Sequence, residues 1–309
     1  MKVLKFGGTS VGSAENINKV IAILETYAAQ APLVCVVSAV GGITDKLLLA
    51  GNLAQQKQSA YEAIFSTIKT QHLDITQTLI PNNNQAVLNT LEETFEALKN
   101  LLDGIYLINE LSNKTSDKLV SYGELLSSYI IAETMKARGI DCERKNSQEL
   151  LVTDSNFSKA EIHYAATNQN IKDYFASATQ SITLLPGFVA KSQSGEPTTL
   201  GRGGSDFTAA IVAAALQADL LEIWTDVSGM FTANPKLVKQ AFPIERLSYQ
   251  EAMELSHFGA KVLYPPTVQP VLDKDIPIVI KNTLEPEAAG TYITREPNHG
   301  NLTVRGISH

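Results

Sequence analysis

Apolar positions along this chain fall into two kinds of pattern. Short β-branched runs at Val3 to Phe6, Leu33 to Val37, Ile182 to Val189, Leu220 to Trp224 and Ile278 to Ile280 read as buried strands, with another near Leu150-Leu151-Val152. Between the first two, Ile17, Val20, Ile21 and Leu24 recur at i, i+3, i+4 and i+7, which predicts an amphipathic helix with one core-facing stripe. Residues 44–138 carry almost only helical spacing, with Leu88, Leu91, Phe95, Leu98 and Leu102 in one segment and Leu119, Leu126, Ile130 and Ile131 in another. Further helices are expected over Ser205 to Ala218, with Ser205 as the cap, and over Ser248 to Phe258. Strands alternating with helices in this way predict an α/β fold: a mostly parallel central sheet with helices on both faces, the helix-rich 44–138 covering one side. The polar stretch from Ala190 to Pro197 is the best boundary between two halves.

Composition narrows the function. With 309 residues, 44% of them hydrophobic and 18% charged, the chain can bury a sizeable core as one large or two ordinary domains. Its 25 Lys and Arg against 32 Asp and Glu leave a net charge of −7 with no basic run, so neither nucleic acid nor a membrane surface is an expected partner. Two cysteines, Cys35 and Cys142, and five histidines without HExxH spacing offer neither a disulfide framework nor a four-ligand zinc site. The N-terminus lacks a secretory apolar region, and the longest apolar stretch, Ala209 to Leu216, is too short to span a bilayer. A cytoplasmic setting is expected.

Candidate chemistry sits in polar, glycine-containing segments that follow the strands. Lys5-Phe6-Gly7-Gly8-Thr9-Ser10 combines a cation, paired glycines and a helix start, which together make a phosphate cradle. Ser38 and Thr44 flank Gly41-Gly42 after the second strand, where an open parallel sheet binds ligands. Glu124 lies in the otherwise apolar helical pattern Ser121 to Ser127 and could pair with an ammonium. Gly201-Arg202-Gly203-Gly204-Ser205-Asp206 surrounds an arginine with glycines ahead of an Ala-rich helix, a setting for carboxylate or phosphate recognition. Thr225-Asp226 with Phe231 could form a nucleotide shelf, and Lys261 could reach its phosphates. Each segment also has a plain structural reading: a βα turn with a surface lysine, Thr44 as a helix cap, Glu124 as a helix-end charge, Asp206 as a complement to the helix dipole, Lys261 as a snorkelling side chain. GxGxxG, P-loop and protein-kinase signatures are all missing.

Taken in order, these blocks resemble the aspartokinase catalytic domains of the amino-acid kinase family. The likeness runs from Lys5–Ser10 through Ser38–Thr44, Ser121–Ser127, Gly201–Ala210, Trp224–Gly229 and Ser248–Lys261 to the closing Val304–Ser308. Glu222–Asp226 and Ser248–Ser256 are similar above all to the kinase part of bifunctional aspartokinase/homoserine dehydrogenases. The resemblance implies two lobes, residues 1–190 for the amino acid and 191–309 for the nucleotide, with regulatory ACT domains absent. It implies transfer of the ATP γ-phosphoryl group to the side-chain carboxylate of L-aspartate, giving 4-phospho-L-aspartate and ADP at the head of lysine, threonine and methionine biosynthesis. A carboxylate already ionised at neutral pH needs no general base, so positioning and charge neutralisation should suffice. The catalytic roles fall to Lys5 and Asp206, and substrate contacts to Ser38, Thr44, Glu124, Arg202, Gly203 and Ser205. ATP would contact Lys5, Gly7, Gly8, Ser10, Thr225, Asp226, Phe231, Lys236 and Lys261, with Mg²⁺ carried by its phosphates and no protein metal site. A homodimer through the catalytic part and a natural fusion to ACT and homoserine dehydrogenase domains are the implied assemblies.

Three positions depart from the family pattern: Phe231 stands where Tyr is usual, Asn234-Pro235-Lys236 where Asp-Pro-Arg is usual, and Tyr264-Pro265 where His-Pro is usual. Two other readings compete. One is a sister kinase acting on glutamate or acetylglutamate, against which the pairing of Arg202 with Glu124 favours a free amino acid. The other is a non-catalytic sensor of ATP or amino acid, against which Lys5 and Asp206 speak.

Overall fold

A computed structural model describes residues 1–234, 237–258 and 263–296. Its first part runs β1 (Lys2–Phe6), α1 (Ala14–Ala28), β2 (Leu33–Val37), then four helices, α2 (Ile43–Gln55), α3 (Tyr61–Leu79), α4 (Gln85–Ile108) and α5 (Asn113–Ala137). There follow β3 (Cys142–Arg144), β4 (Val152–Thr153), α6 (Tyr164–Ser177), β5 (Ile182–Pro186), β6 (Val189–Ser192), β7 (Pro197–Thr199), α7 (Gly204–Leu216) and β8 (Leu220–Thr225). The last part holds β9 (Arg246–Ser248), α8 (Tyr249–Phe258), α9 (Gln269–Leu272), β10 (Ile278–Asn282) and β11 (Thr291–Thr294). Eight strands form one sheet in the order β3-β5-β2-β1-β8-β10-β11-β9, parallel throughout except at β10–β11. No helix of the described residues is long and apolar enough to cross a membrane.

Side-chain alternation along the strands explains the two layers of helices. Leu4 and Phe6 on β1, with Leu33, Cys35 and Val37 on β2, face the core shared with α1–α5. Val3, Val34, Val36, Leu221 and Ile223 face the opposite core, which contains the Ala-rich α7. The predicted stripe of α1 is buried as expected, and Ser13 caps that helix by accepting from the Asn16 amide. The helix predicted over 248–258 begins at Tyr249. Ser248 and Glu251 exchange bonds there, each side chain accepting from the other's backbone amide, which makes a capping box.

Three expectations change. The run Ile182 to Val189 is two strands, because Phe188 adopts a left-handed φ of 67° after Pro186-Gly187 and redirects the chain. β5 thus ends in the main sheet, and β6 enters a separate sheet ordered β4-β6-β7. Leu150 and Leu151 precede β4 rather than form it. Gly203, not Ser205, caps α7, since its φ of 71° is one glycine adopts without strain, and Ser205 packs inside the first turn. The polar stretch 190–197 forms the turn and flanks of the β6–β7 hairpin.

Candidate active site

Loops leaving the carboxyl ends of β1 and β2, the middle of α5 and the start of α7 enclose a cavity of about 680 Å³. Lys5 and Val3 share a face of β1, the face on which α7 packs, so the lysine near the strand's end points toward the first turn of that helix. Asp206 occupies that turn, and Lys5 Nζ lies 2.6 Å from Asp206 Oδ1 with both side chains nearly buried. The oxygen has this ion contact and no aligned hydrogen-bond donor. A buried cation and anion held together at a strand end form a charged centre that an incoming anion can engage.

Across the cavity, Glu124 projects from α5 and is 4% exposed. Burial pushes its carboxyl up to about 8, against a backbone hydrogen bond from Ala39 and the field of Lys5, which both favour the ionised form. Its Oε2 has no partner. Ser127 Oγ, almost one turn on, donates to the Ser38 carbonyl at 2.7 Å and ties the β2 exit to α5. Thr44 lines the same cavity and does not cap α2, which begins from Gly42 at a φ of 77°. Gly203 and Ser205 belong to the lining as well. Arg202 is exposed, and its guanidinium stands 5.4 Å from the Tyr264 ring centre, a cation–π contact made by a residue that departs from the family pattern.

Thr225 and Asp226 open instead into a second hollow of about 380 Å³, together with Ser10, Ser13, Asn16 and Thr283. Gly41 lines both spaces. Gly8 lets the loops meet closely there: an added Cβ would lie 3.0 Å from the Ala39 carbonyl oxygen, and the backbone would have to give to admit it. Gly7 lines neither space, and its amide donates to the Trp224 carbonyl at 3.0 Å, binding the Gly-Gly loop to β8. The Ser10 hydroxyl is 2.7 Å from that of Thr283. Phe231 pairs in an isolated bridge with Pro243 and reaches neither hollow. Lys236 and Lys261 lie outside the described residues. Among the described residues, no group of three or more His, Cys, Asp or Glu is gathered in metal-binding proximity.

Sequence reasoning missed two polar residues at these sites. Asp117 lines the main cavity at 2% exposure, one α5 face along from Glu124, and Thr283 is fully buried at the end of β10. The signal available for Asp117 was its seven-residue spacing from Glu124, which puts both acids on one helical face. For Thr283, a lone threonine after an apolar strand, there was none.

Comparison with known proteins agrees with this architecture. The chain is 35% identical over 301 residues to bifunctional aspartokinase/homoserine dehydrogenase 1, chloroplastic, of Zea mays, covering 97% of this chain and 33% of that protein. It is 36% identical to aspartokinase 1, chloroplastic, of Arabidopsis thaliana, covering 95% of this chain and 52% of the other. It therefore spans only a third to a half of the curated relatives it matches. The crystal structure of E. coli aspartokinase III in complex with aspartate and ADP superposes with a TM-score of 0.88 at 30% identity, over 97% of this chain and 65% of that one. The amino acid kinase family pattern matches residues 1–282, which include every strand of the main sheet except β11 and both walls of the cavity. With its parallel sheet, its glycine-lined strand exits and that match, the chain belongs to the amino acid kinase family.

Proposed function

We propose that this chain is an aspartate kinase catalytic unit, transferring the γ-phosphoryl group of ATP to the side-chain carboxylate of L-aspartate, with the cytoplasm as its setting. The reading rests on one observation: a single cavity gathers the Lys5–Asp206 pair, the Glu124 carboxyl, Ser38, Thr44 and the Arg202 loop at the carboxyl ends of parallel strands. Relatives of similar sequence are named aspartokinases, and the superposed E. coli structure holds aspartate and ADP.

In this mechanism Glu124 pairs with the substrate ammonium and Arg202 forks onto the α-carboxylate, leaving its exposed stacking position beside Tyr264 to do so. Ser38 and Thr44 orient the side-chain carboxylate for in-line attack. Lys5 pairs with Asp206 before the substrates bind and turns its ammonium toward the phosphoryl oxygens as negative charge shifts across them. Asp206 holds the lysine in place between turnovers. Thr225, Asp226, Ser10 and the Gly8 backbone serve the nucleotide, with Lys236 and Lys261 as further nucleotide contacts, while Gly7, whose amide is taken by the Trp224 carbonyl, shapes the loop and Phe231 stands apart from both hollows. Mg²⁺ bound to the ATP phosphates supplies additional charge neutralisation.

The test is ATP- and Mg²⁺-dependent formation of acyl phosphate from L-aspartate, trapped with hydroxylamine, with L-glutamate and acetylglutamate as control acceptors. Aspartate-specific product is expected, falling by about 10²–10³-fold in Lys5→Ala. Turnover with a control acceptor alone would move the activity to a sister kinase.

A further inference from the structure

Arg202, a proposed substrate contact, has no ion pair or side-chain hydrogen bond to hold it among the described residues. It is exposed, sits between Gly201 at a φ of +69° and Gly203 at +71°, and, among the described residues, its side chain makes the ring contact described above. The Leu200 amide donates to the Phe188 carbonyl and the Gly204 amide to that of Gly201, both at 3.0 Å, and the remaining bonds that set where the loop lies converge on Asp117.

Asp117 Oδ1 accepts from the Thr199 hydroxyl at 2.8 Å, and Oδ2 accepts from the backbone amides of Thr199 at 3.1 Å and Ser158 at 2.9 Å. Thr199 ends β7, three positions before Arg202. Ser158 is held at a φ of 72°, unusual for a side chain other than glycine, and a Cβ on Gly201 would lie 3.4 Å from its carbonyl oxygen. The carboxylate thus pins the strand that enters the arginine loop and the segment against which that loop rests. Asp117 and Glu124 share one face of α5, about two turns apart.

We propose that Asp117 is a positioning residue for amino-acid recognition: through Thr199 and Ser158 it fixes the Arg202 loop at a set distance from Glu124, so that one rigid helix gauges the spacing of the substrate's two α-groups. This deepens the proposed function and rests on it. Asp117 does not touch substrate. Its role predicts a selective defect, in the amino-acid site and not the nucleotide site.

The experiment compares the 309-residue chain with Asp117→Ala, Asp117→Asn and Thr199→Val, measuring KM for L-aspartate, KM for ATP and kcat, with calorimetric L-aspartate affinity as a readout independent of turnover. Asp117→Ala is expected to weaken L-aspartate by about tenfold or more while KM for ATP stays within about twofold. Asp117→Asn should recover most of the affinity, because its amide oxygen can still accept from both backbone N–H groups while its NH₂ donates to the Thr199 hydroxyl. Thr199→Val keeps the backbone bond, loses one acceptance and should fall between. Unchanged L-aspartate affinity in both Asp117→Ala and Thr199→Val would overturn the inference, as would equal losses for L-aspartate and ATP, which mark a general structural role. If Asp117→Ala does not fold, Thr199→Val decides by the same split. A wild-type chain that binds L-glutamate or acetylglutamate in place of L-aspartate defeats the proposed function, and the same comparison run with that acceptor then decides the inference. A wild-type chain that binds no amino acid defeats both.

Discussion

A carboxyl that is 4% exposed, with one oxygen unpartnered, resists ionisation, and Glu124 is raised to about 8 for that reason. Its folded value lies above the ordinary carboxyl range. The contribution to stability is therefore full at acid pH and is lost as pH rises toward about 8. The same shift shapes ligand binding: in the empty site at neutral pH the group is mostly protonated, and pairing with an ammonium requires the proton to leave. KM for L-aspartate should accordingly fall as pH rises from about 6 to about 8, by up to about tenfold per unit. Calorimetry in buffers of different ionisation enthalpy should register the released proton. Glu124→Gln should bind weakly with no such slope, and a flat profile for the unaltered chain would refute the ionisation.

At the scale of elements, the strand exits are joined by buried hydroxyls. Thr283, at the end of β10, presents its hydroxyl to Ser10 and its amide to the Thr225 carbonyl at 2.8 Å, so it ties the Gly-Gly loop to the β8 exit. Thr283→Val keeps the volume and leaves Ser10 only a 3.4 Å approach to the Trp224 carbonyl. This loss of about 1–3 kcal/mol of pairing should raise KM for ATP several-fold and spare KM for L-aspartate, with Thr283→Ser restoring the first. Equal effects on both constants would place the residue in general packing instead. The glycine-flanked blocks were legible in the sequence because backbone chemistry left composition marks around Lys5, Ser38, Arg202 and Asp206. Asp117 and Thr283 left none: each is one polar residue among polar neighbours, in Asn113–Lys118 and Lys281–Thr283, and the partners that matter lie 82 and 273 positions away. The break between β5 and β6 was hidden for a related reason. Both strands are apolar and buried, and the one local turn signal, Pro186-Gly187, sits inside an otherwise continuous apolar run, with the left-handed conformation falling on the phenylalanine that follows it.

Across the whole molecule, the sheet separates two apolar cores, and the one under α1–α5 contains a histidine. His72 is fully buried beside Phe95, with their rings 6.0 Å apart. The Ile68 carbonyl, 2.7 Å from Nδ1, can only accept, so Nδ1 carries the hydrogen and Nε2 is a buried lone pair without a partner. Burial, with the nearby Lys46, lowers this imidazole to about 4. The unfolded chain takes up a proton near its ordinary 6.5 while the folded one resists, so stability declines as pH falls from there to about 4, by about 3 kcal/mol in all. His72→Leu should shift acid unfolding to lower pH in a denaturant titration, and an unchanged midpoint would exclude the histidine as its cause. The central strand pair has a further consequence, for the order in which the molecule comes into being. β1 is made well before one of its two neighbours, β8, which begins only at Leu220. During synthesis, the strand that carries Lys5 must wait with one edge open until β8 has emerged, and the helices packed against its other face are available first to shelter it. On the proposed function, competence for chemistry needs Asp206 and the β8 exit beside that lysine, so the growing chain acquires it only after the whole α1–α5 layer has been made.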